Sequence, residues 1–210
     1  MINMGEVKTP ATTIERLPLY YRCVQKLNRK GVEVISSQEL GEMIGIPSTQ
    51  VRKDLSYYGE FGRRGVGYEV CNLIKNLKKI LGLNESWEIL LVGAGNLGHA
   101  LVNYGGFQKL DLNINYVLDI DQDKIGEKLG NTEVHDMDKL EEIIADKEIN
   151  IVVLAVPDEN AQEVAERLVE AGIKAIWNFA PIRLDLPEDI KVRDEDLSIG
   201  LISLTYHLSN

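Results

Sequence analysis

The sequence feature that most constrains this chain is an apolar run that ends in a cluster of glycines. Trp87–Val92 reads WEILLV, a composition typical of a buried strand. It is followed by Gly93-Ala94-Gly95-Asn96-Leu97-Gly98, which has the G-x-G-x-x-G spacing of a dinucleotide-binding turn. In such a turn the first glycine allows the bend, the second lets a pyrophosphate approach, and the third lets the following helix pack on the strand. The sequence therefore predicts a nucleotide-binding domain that begins after 86 residues of a different kind.

An acidic residue follows at the distance expected for ribose recognition. Asp119 comes directly after a strand predicted over 113–118, 21 residues beyond Gly98. A carboxylate at this position binds the hydroxyls of the adenosine ribose and repels a 2′-phosphate, which favours NAD(H) over NADP(H). Asp121 is close enough to take the same role and is the second candidate.

The rest of the C-terminal half alternates between strands and helices. Strands are predicted over 149–156 and 174–178, with a helix over 160–171 between them. This alternation predicts an α/β fold with a Rossmann-like parallel sheet covered on both faces. Ligand contacts then come from the carboxyl ends of the strands, which adds five candidate cofactor-binding residues: Val156, Pro157, Asn178, Phe179 and Ala180.

Charge is distributed unevenly along the chain. The net charge is −10, but residues 1–86 carry 13 Lys and Arg against 9 Asp and Glu, whereas residues 87–210 carry 10 against 24. A basic module therefore precedes an acidic one. Because a DNA backbone responds to the local field of the basic module, the acidic total does not exclude binding to nucleic acid.

Two short predicted helices in the basic module are separated by a tight turn. They follow a longer helix over about 10–30, in which Pro18 marks either the start of the regular helix or a kink. The capping box Ser36–Glu39 opens the first short helix, Gly45-Ile46-Pro47 forms the turn, and Ser48 caps the second. This is the layout of a helix-turn-helix, whose second helix enters the major groove. Five polar residues of that helix are candidates for DNA contacts: Ser48, Thr49, Gln50, Arg52 and Lys53.

A glycine-rich segment with two arginines follows this helix. Gly59–Tyr68 reads GEFGRRGVGY, which predicts the tip of a β-hairpin and hence the wing of a winged helix. Arg63 and Arg64 are expected to reach the phosphate backbone or the adjacent minor groove. An amphipathic helix over 69–81 completes the module.

The acidic module offers no clear group for moving a proton. His99, His135 and His207 each lie where a capping or solvated role is expected, and no Tyr-x-x-x-Lys pair follows the third strand. We therefore predict a binding protein without catalysis. A small NAD-dependent oxidoreductase with an N-terminal interaction domain, and a CoA- or nucleotide-binding subunit, are the alternatives.

Composition and the N-terminal sequence indicate the compartment in which the protein is expected to be found. No apolar run is long enough to span a membrane, and the N-terminus lacks the layout of a signal peptide. Cys23 and Cys71 lack metal-ligand spacing and are expected to be reduced core residues of a cytoplasmic protein. No metal site is expected.

Five segments carry a resemblance to a known family. They are Arg16–Arg22 (RLPLYYR), Gln50–Leu55 (QVRKDL), Gly59–Tyr68, Val92–Leu101 and Asn178–Pro181 (NFAP). On these segments the chain resembles the Rex family, bacterial transcriptional repressors that respond to the NADH/NAD⁺ ratio. The resemblance extends over nearly the whole chain.

The resemblance implies a division of the chain and a switch. Residues 1–82 would form a winged-helix domain, 83–86 a linker, 87–195 the NAD(H)-binding domain, and 196–210 a C-terminal helix exchanged between the protomers of a homodimer. The dimer would bind a palindromic operator, and NADH would close it and release the DNA. Arg16, Tyr104 and Asp196 are the residues that the resemblance assigns to the switch, with Tyr104 near the nicotinamide.

Overall fold

The computed structural model describes residues 9–63 and 65–209. The chain divides into two compact units, with the boundary between Glu85 and Ser86. Within the described residues, the first unit has four α-helices and a three-stranded sheet, and the second has four α-helices and a seven-stranded sheet.

The first unit has the winged-helix fold. Its elements in chain order are α1 (Ala11–Arg29), β1 (Val34–Ile35), α2 (Ser37–Ile44), α3 (Ser48–Ser56), β2 (Gly62–Arg63), β3 (Gly67–Glu69) and α4 (Val70–Ile80). Strand β3 lies between β1 and β2 and is antiparallel to both. Large apolar side chains from the helices are fully buried between them, among them Leu17, Leu40, Leu55 and Leu73.

Most of the local predictions for this unit agree with the structure. In the capping box of α2, Ser36 Oγ accepts from the Glu39 N–H at 3.1 Å, and Glu39 accepts from the Ser36 N–H at 2.9 Å. The prediction that Ser48 caps α3 is wrong, because Pro47 occupies the N-cap position and Ser48 is the first helical residue. Helix α1 begins at Ala11 and contains Pro18, so the regular helix does not start at the proline.

The second unit is a Rossmann-like domain. Its elements are β4 (Trp87–Val92), α5 (Asn96–Val102), β5 (Leu112–Asp119), β6 (Lys128–Leu129), β7 (Thr132–Asp136), α6 (Leu140–Lys147), β8 (Ile151–Leu154), α7 (Asp158–Glu170), β9 (Ala175–Asn178), β10 (Lys191–Asp194) and α8 (Leu197–Ser209). The strand order is β10-β9-β8-β4-β5-β7-β6, and all neighbours are parallel except β6 and β7. Strands β5, β6 and β7 lie on one side of β4, and the later strands β8, β9 and β10 lie on the other side. The boundary between β4 and β8 is therefore a topological switch point.

Strand β4 contributes to a core on both faces of the sheet. Leu90 and Val92 pack into an apolar cluster with residues of α6 and α7, whereas Ile89 and Leu91 pack into a second cluster on the other face. This alternation is the two-sided burial expected of a central parallel strand.

Two sequence expectations for packing require correction. Cys23 is buried as predicted, but Cys71 is exposed at the start of α4, where its thiol donates to Asn28 Oδ1 at 3.4 Å. Strand β8 is shorter than the predicted 149–156, because the segment ends in the loop that carries Ala155 and Pro157.

Candidate functional sites

A cavity of about 540 Å³ lies at the carboxyl ends of the central strands in the second unit. It is formed by the glycine turn after β4, the acidic segment after β5 and the loop from β8 into α7. Its lining includes Gly93, Gly95, Asn96, Leu97, Asp119, Asp121, Lys124, Val156, Pro157 and Asn160. The cavity therefore lies at the topological switch point, where open α/β sheets bind ligands.

The three glycines of the turn have different surroundings. Gly93 has φ +106°, and a Cβ there would collide with the carbonyl oxygen of Ala155. A Cβ on the buried Gly98 would collide with the carbonyl oxygen of Gly93. At Gly95, by contrast, no atom of the described residues, apart from its own and those of its two chain neighbours, lies within 4 Å of the position a Cβ would take. Gly93 and Gly98 are thus required by the fold, whereas Gly95 leaves open space beside the cavity that a ligand can fill.

Asp119 holds the glycine turn in place from the end of β5. Its side chain is largely buried and accepts from the Ala94 N–H at 2.7 Å and from the Asp121 N–H at 2.9 Å. Lys124 lies 3.2 Å from Asp119 and 3.3 Å from Asp121. Burial opposes ionisation, but these donors outweigh it and lower the pKa of Asp119. Asp119 is therefore ionised beside the cavity, and the ammonium group of Lys124 partly offsets its charge.

The remaining predicted cofactor residues lie outside this cavity's lining. Ala94 and Ala180 are buried, and the Asn178 amide donates to the carbonyl oxygens of Ala180 and Ile182 and to Asp194. Asn178 thereby ties the end of β9 to the end of β10. Phe179 contacts Trp177, with ring centroids 4.5 Å apart.

Tyr104 lies after α5 and is 57% exposed. Its ring contacts Phe107 edge-on at a centroid distance of 4.9 Å, and a Cβ at Gly106 would collide with it.

Lys124 and Asn160 were not predicted from the sequence, although both line the cavity. Lys124 could be identified from the sequence, because it follows Asp119 and Asp121 closely and a cation next to two carboxylates is electrostatically favourable. Asn160 lies in the first turn of α7, shortly after Pro157, and only the packing of that helix places it at the cavity.

A groove of about 780 Å³ lies between α2, α3 and the wing in the first unit. Among the predicted DNA contacts, Ser48, Arg52 and Arg63 line it. Arg52 donates to Ser37 Oγ at 2.8 Å. Arg64 lies outside the described residues.

Four side chains form one exposed stripe along α3. Thr49, Arg52, Lys53 and Ser56 follow the i, i+3, i+4, i+7 spacing of one helix face and are all exposed. Gln50 lies at the flank of this stripe, and its amide nitrogen donates to Asp54 at 2.7 Å. The exposed stripe and the adjacent wing form the polar and basic surface that a duplex would contact.

The three predicted switch residues are divided between the two units. Arg16, in the first unit, makes a paired hydrogen bond to Asp54 through Nε at 2.6 Å and Nη2 at 2.8 Å. Asp196, in the second unit, precedes α8 and accepts from the backbone N–H and hydroxyl of Ser198 at 2.8 and 2.6 Å. These bonds lower the pKa of Asp196.

Residues 9–63 and 65–209 contain neither a metal-binding cluster nor a membrane-spanning helix. No group of three or more His, Cys, Asp or Glu side chains in these ranges is arranged to hold a metal ion. None of the helices in this part of the chain combines the length and hydropathy needed to cross a membrane.

Known protein families match both units of the chain. Residues 8–56 match a family described as putative DNA-binding protein N-terminus, and residues 84–182 match one described as CoA binding domain. The redox-sensing transcriptional repressor Rex of Carboxydothermus hydrogenoformans is 48% identical over 205 residues, which cover 98% of this chain and 99% of that protein. The Rex of Desulforamulus reducens is 45% identical over 206 residues and 98% of each chain.

Solved structures match over the same length. The Rex-family repressor RSP in complex with β-NAD⁺ and operator DNA has a TM-score of 0.90 and 43% identity, covering 95% of this chain and 92% of that one. RSP in complex with β-NADH has a TM-score of 0.88 and 41% identity, covering 97% and 95%.

A winged helix joined to a Rossmann-like domain with a cavity at its switch point defines a class of two-domain DNA-binding regulators with a nucleotide-type site. The full-length relatives narrow this class to one family. The chain belongs to the Rex family of redox-sensing transcriptional repressors. Its relatives are named as repressors and not as enzymes, in agreement with the expected absence of catalysis.

Proposed function

We propose that this chain represses transcription by binding operator DNA and is released from it when NADH binds. The observation that carries the proposal is the cavity of about 540 Å³ at the switch point, with the open position at Gly95 and the ionised Asp119 at its edge, in a chain that also has a winged helix. Full-length relatives of the same family, one of them solved with NADH and with NAD⁺ and operator DNA, support it.

The DNA contacts are assigned to α3 and the wing. Thr49, Arg52 and Lys53 present their side chains to solvent along α3, and Arg63 extends from the wing beside the same groove. We include Ser48, Gln50 and Arg64 in this set on the sequence argument. Side chains of α3 read base edges in the major groove, while the arginines of the wing contact phosphates.

The ligand is assigned to the turn from Gly93 to Gly98. Gly95 lets a pyrophosphate approach the backbone, and the cavity between Asp119 and Pro157, of about 540 Å³, lies in the size range of cofactor-binding pockets. Two carboxylates, Asp119 and Asp121, face one ammonium group, that of Lys124. The resulting negative charge favours a ribose diol over a 2′-phosphate, and so NAD(H) over NADP(H).

NADH shifts the equilibrium between the DNA-binding and DNA-releasing states only if it binds the DNA-releasing state more tightly. Reversing an equilibrium from 1:99 to 99:1 requires about 5.5 kcal/mol of differential binding. A neutral dihydronicotinamide is cheaper to bury than a cationic nicotinamide, which gives NADH the larger preference for a closed state. We propose that Arg16, Tyr104 and Asp196 couple the binding of NADH to the release of DNA.

The repressor is proposed to act as a homodimer in the cytoplasm. Helix α8 carries seven large apolar side chains that are all more than half exposed, namely Leu197, Ile199, Leu201, Ile202, Leu204, Tyr206 and Leu208. An exposed apolar helix of this kind is expected to be covered by another protein surface. Exchange of α8 between two copies would cover it, and a two-fold dimer matches a palindromic operator.

The test is a binding measurement with the full-length chain. A palindromic duplex is first selected by the chain from a randomised pool, and its affinity is then measured by fluorescence anisotropy at fixed salt with added NADH or NAD⁺. NADH is expected to weaken operator binding at least tenfold, and NAD⁺ to leave it nearly unchanged. Failure to select a duplex, or an affinity that NADH does not alter, would contradict the proposal.

A further inference from the structure

One buried carboxylate in the first unit connects α1 to α3. Asp54 is completely buried, and its two oxygens accept five hydrogen bonds. The donors are Thr13 Oγ1 at 2.9 Å, Arg16 Nε at 2.6 Å and Nη2 at 2.8 Å, Tyr20 Oη at 2.7 Å, and Gln50 Nε2 at 2.7 Å.

The donors come from two helices in a regular arrangement. Thr13, Arg16 and Tyr20 lie on one face of α1, at the i, i+3, i+7 spacing, and Gln50 lies one turn before Asp54 on α3. The cluster therefore cross-links the N-terminal half of α1 to the helix whose opposite face carries the exposed stripe.

Burying a charge is costly unless hydrogen bonds from neighbouring groups compensate for its lost hydration. Here burial opposes ionisation, but the hydrogen bonds from Arg16, Tyr20, Gln50 and Thr13 hold the pKa of Asp54 well below its usual range. The charge is thus retained at neutral pH within a fully satisfied network. Such a network constrains geometry, because hydrogen bonds to a carboxylate are directional.

The apolar anchors of α3 supply a less directional constraint than the Asp54 network. Val51 and Leu55 are buried on the inner face of the helix and hold it against the core, but their apolar contacts are less directional than hydrogen bonds to a carboxylate. A small rotation of α3 would shift Thr49, Arg52 and Lys53 relative to the base edges of a bound duplex.

We propose that Asp54 is a positioning residue for sequence recognition, which fixes the rotation of α3 against α1 and so the alignment of the exposed stripe with the base edges. This inference rests on the proposed operator binding and adds a residue that does not itself touch DNA. It predicts that Asp54 controls the preference for operator over other DNA, more than it controls affinity for DNA in general.

The experiment compares two duplexes of equal length at the same salt, the selected palindrome and a scrambled version of it. In Asp54→Asn the size of the side chain is kept and the charge is removed. We expect operator affinity to fall by about tenfold, in the range that a mismatched base pair produces, and affinity for the scrambled duplex to change less than twofold. If Asp54 were needed only for folding, part of the Asp54→Asn protein would be inactive, and both apparent affinities would fall equally. The ratio of the two affinities would then stay unchanged.

Glu141→Gln provides the matched control. Glu141 forms the same paired arrangement with Arg167, at 2.6 and 2.9 Å, on the surface of the second unit. This variant is expected to keep the wild-type ratio. If Asp54→Asn also keeps it, or loses affinity for both duplexes equally, the inference is overturned. If the wild-type chain itself does not distinguish the duplexes, the proposed function fails instead.

Two milder variants apply where Asp54→Asn does not fold. Tyr20→Phe and Thr13→Val each remove one donor and keep the carboxylate and Arg16 in place. The double variant is expected to reduce the operator-to-scrambled ratio by about threefold, and an unchanged ratio in the folded double variant overturns the inference. Folding is checked by circular dichroism and a thermal transition.

Discussion

At the scale of single residues, the glycine turn separates what the fold needs from what a ligand needs. Gly93 is required by its positive φ and by the nearby Ala155 carbonyl, whereas Gly95 has open space in front of it. The same amino acid is therefore present for two independent reasons within three positions.

This difference gives a paired prediction. Gly93→Ala is expected to lower the free energy of unfolding of the second unit by about 1–3 kcal/mol, because alanine is strained at this φ and collides with the backbone. Gly95→Ala is expected to leave that stability nearly unchanged but to weaken NADH binding about tenfold by filling the space beside the cavity. Urea unfolding and NADH fluorescence titrations measure the two effects. Equal losses of stability in both variants would contradict the distinction.

A second prediction concerns the two carboxylates of the cavity. Asp119→Ala is expected to weaken NADH binding, because it removes the acceptor of the Ala94 N–H and so loosens the turn as well as the ribose contact. Asp123→Ala, at a neighbouring position outside the cavity's lining, serves as the control. The measurement is the same NADH titration. Undiminished affinity in Asp119→Ala would transfer the role of the ribose-binding acid to Asp121.

The buried Asp54 predicts a specific pH dependence. Its pKa is lower in the folded chain than the unfolded value of about 3.9, so its stabilising contribution is complete above that value and is lost as the pH falls toward the folded pKa. The first unit is therefore expected to lose stability below about pH 4, and less steeply in Asp54→Asn. Urea unfolding monitored between pH 2 and pH 7 tests this. Parallel stability curves for the two proteins below pH 4 would contradict it.

At the scale of elements, the wing is expected to act through charge alone. Arg63→Ala and Arg64→Ala should each weaken binding to operator and scrambled duplexes alike. Each should also reduce the slope of log affinity against log salt by about 0.9 for every phosphate that the arginine neutralises. Lys128→Ala, on β6 in the second unit, is the control. An unaltered salt slope would remove the arginine concerned from the contact surface.

Sequence patterns predicted the elements that have strong local signals and missed those defined only by packing. The capping box of α2, the glycine turn and the apolar run of β4 could each be identified from a few residues. Strand β10 could not, because all four of its residues are exposed and it is held by pairing with β9 at the sheet edge. Strand β7 is similarly short and polar, so its sequence lacks a clear strand pattern.

The site was predictable to a similar extent. Residues within the glycine turn follow from a contiguous motif, and Asp119 follows from its spacing. Lys124 and Asn160 line the cavity only because the β5–β6 loop and α7 converge on the turn. The Asp54 network was not predicted either, since it joins residues 41 positions apart that carry no periodic signal.

At the scale of the whole molecule, α8 is expected to determine assembly. A chain that ends at Asp196 removes all seven exposed apolar side chains of the helix and should remain monomeric, whereas the full chain should sediment as a dimer. Analytical ultracentrifugation distinguishes the two. The truncated chain should also lose its preference for palindromic over half-site duplexes. A dimeric truncated chain would contradict the assignment of α8 to the dimer interface.

The exposed apolar side chains of α8 also have a genetic consequence. If chains pair through this helix, as proposed, they do so regardless of the state of their DNA-binding units. In a cell that makes equal amounts of the intact chain and a copy damaged only at Arg52 and Lys53, random pairing would make about half of the dimers mixed, each able to read one half of a palindrome, and leave only about a quarter intact. Such an allele should be dominant and relieve repression in the presence of the normal gene, whereas an allele that lacks α8 should be recessive.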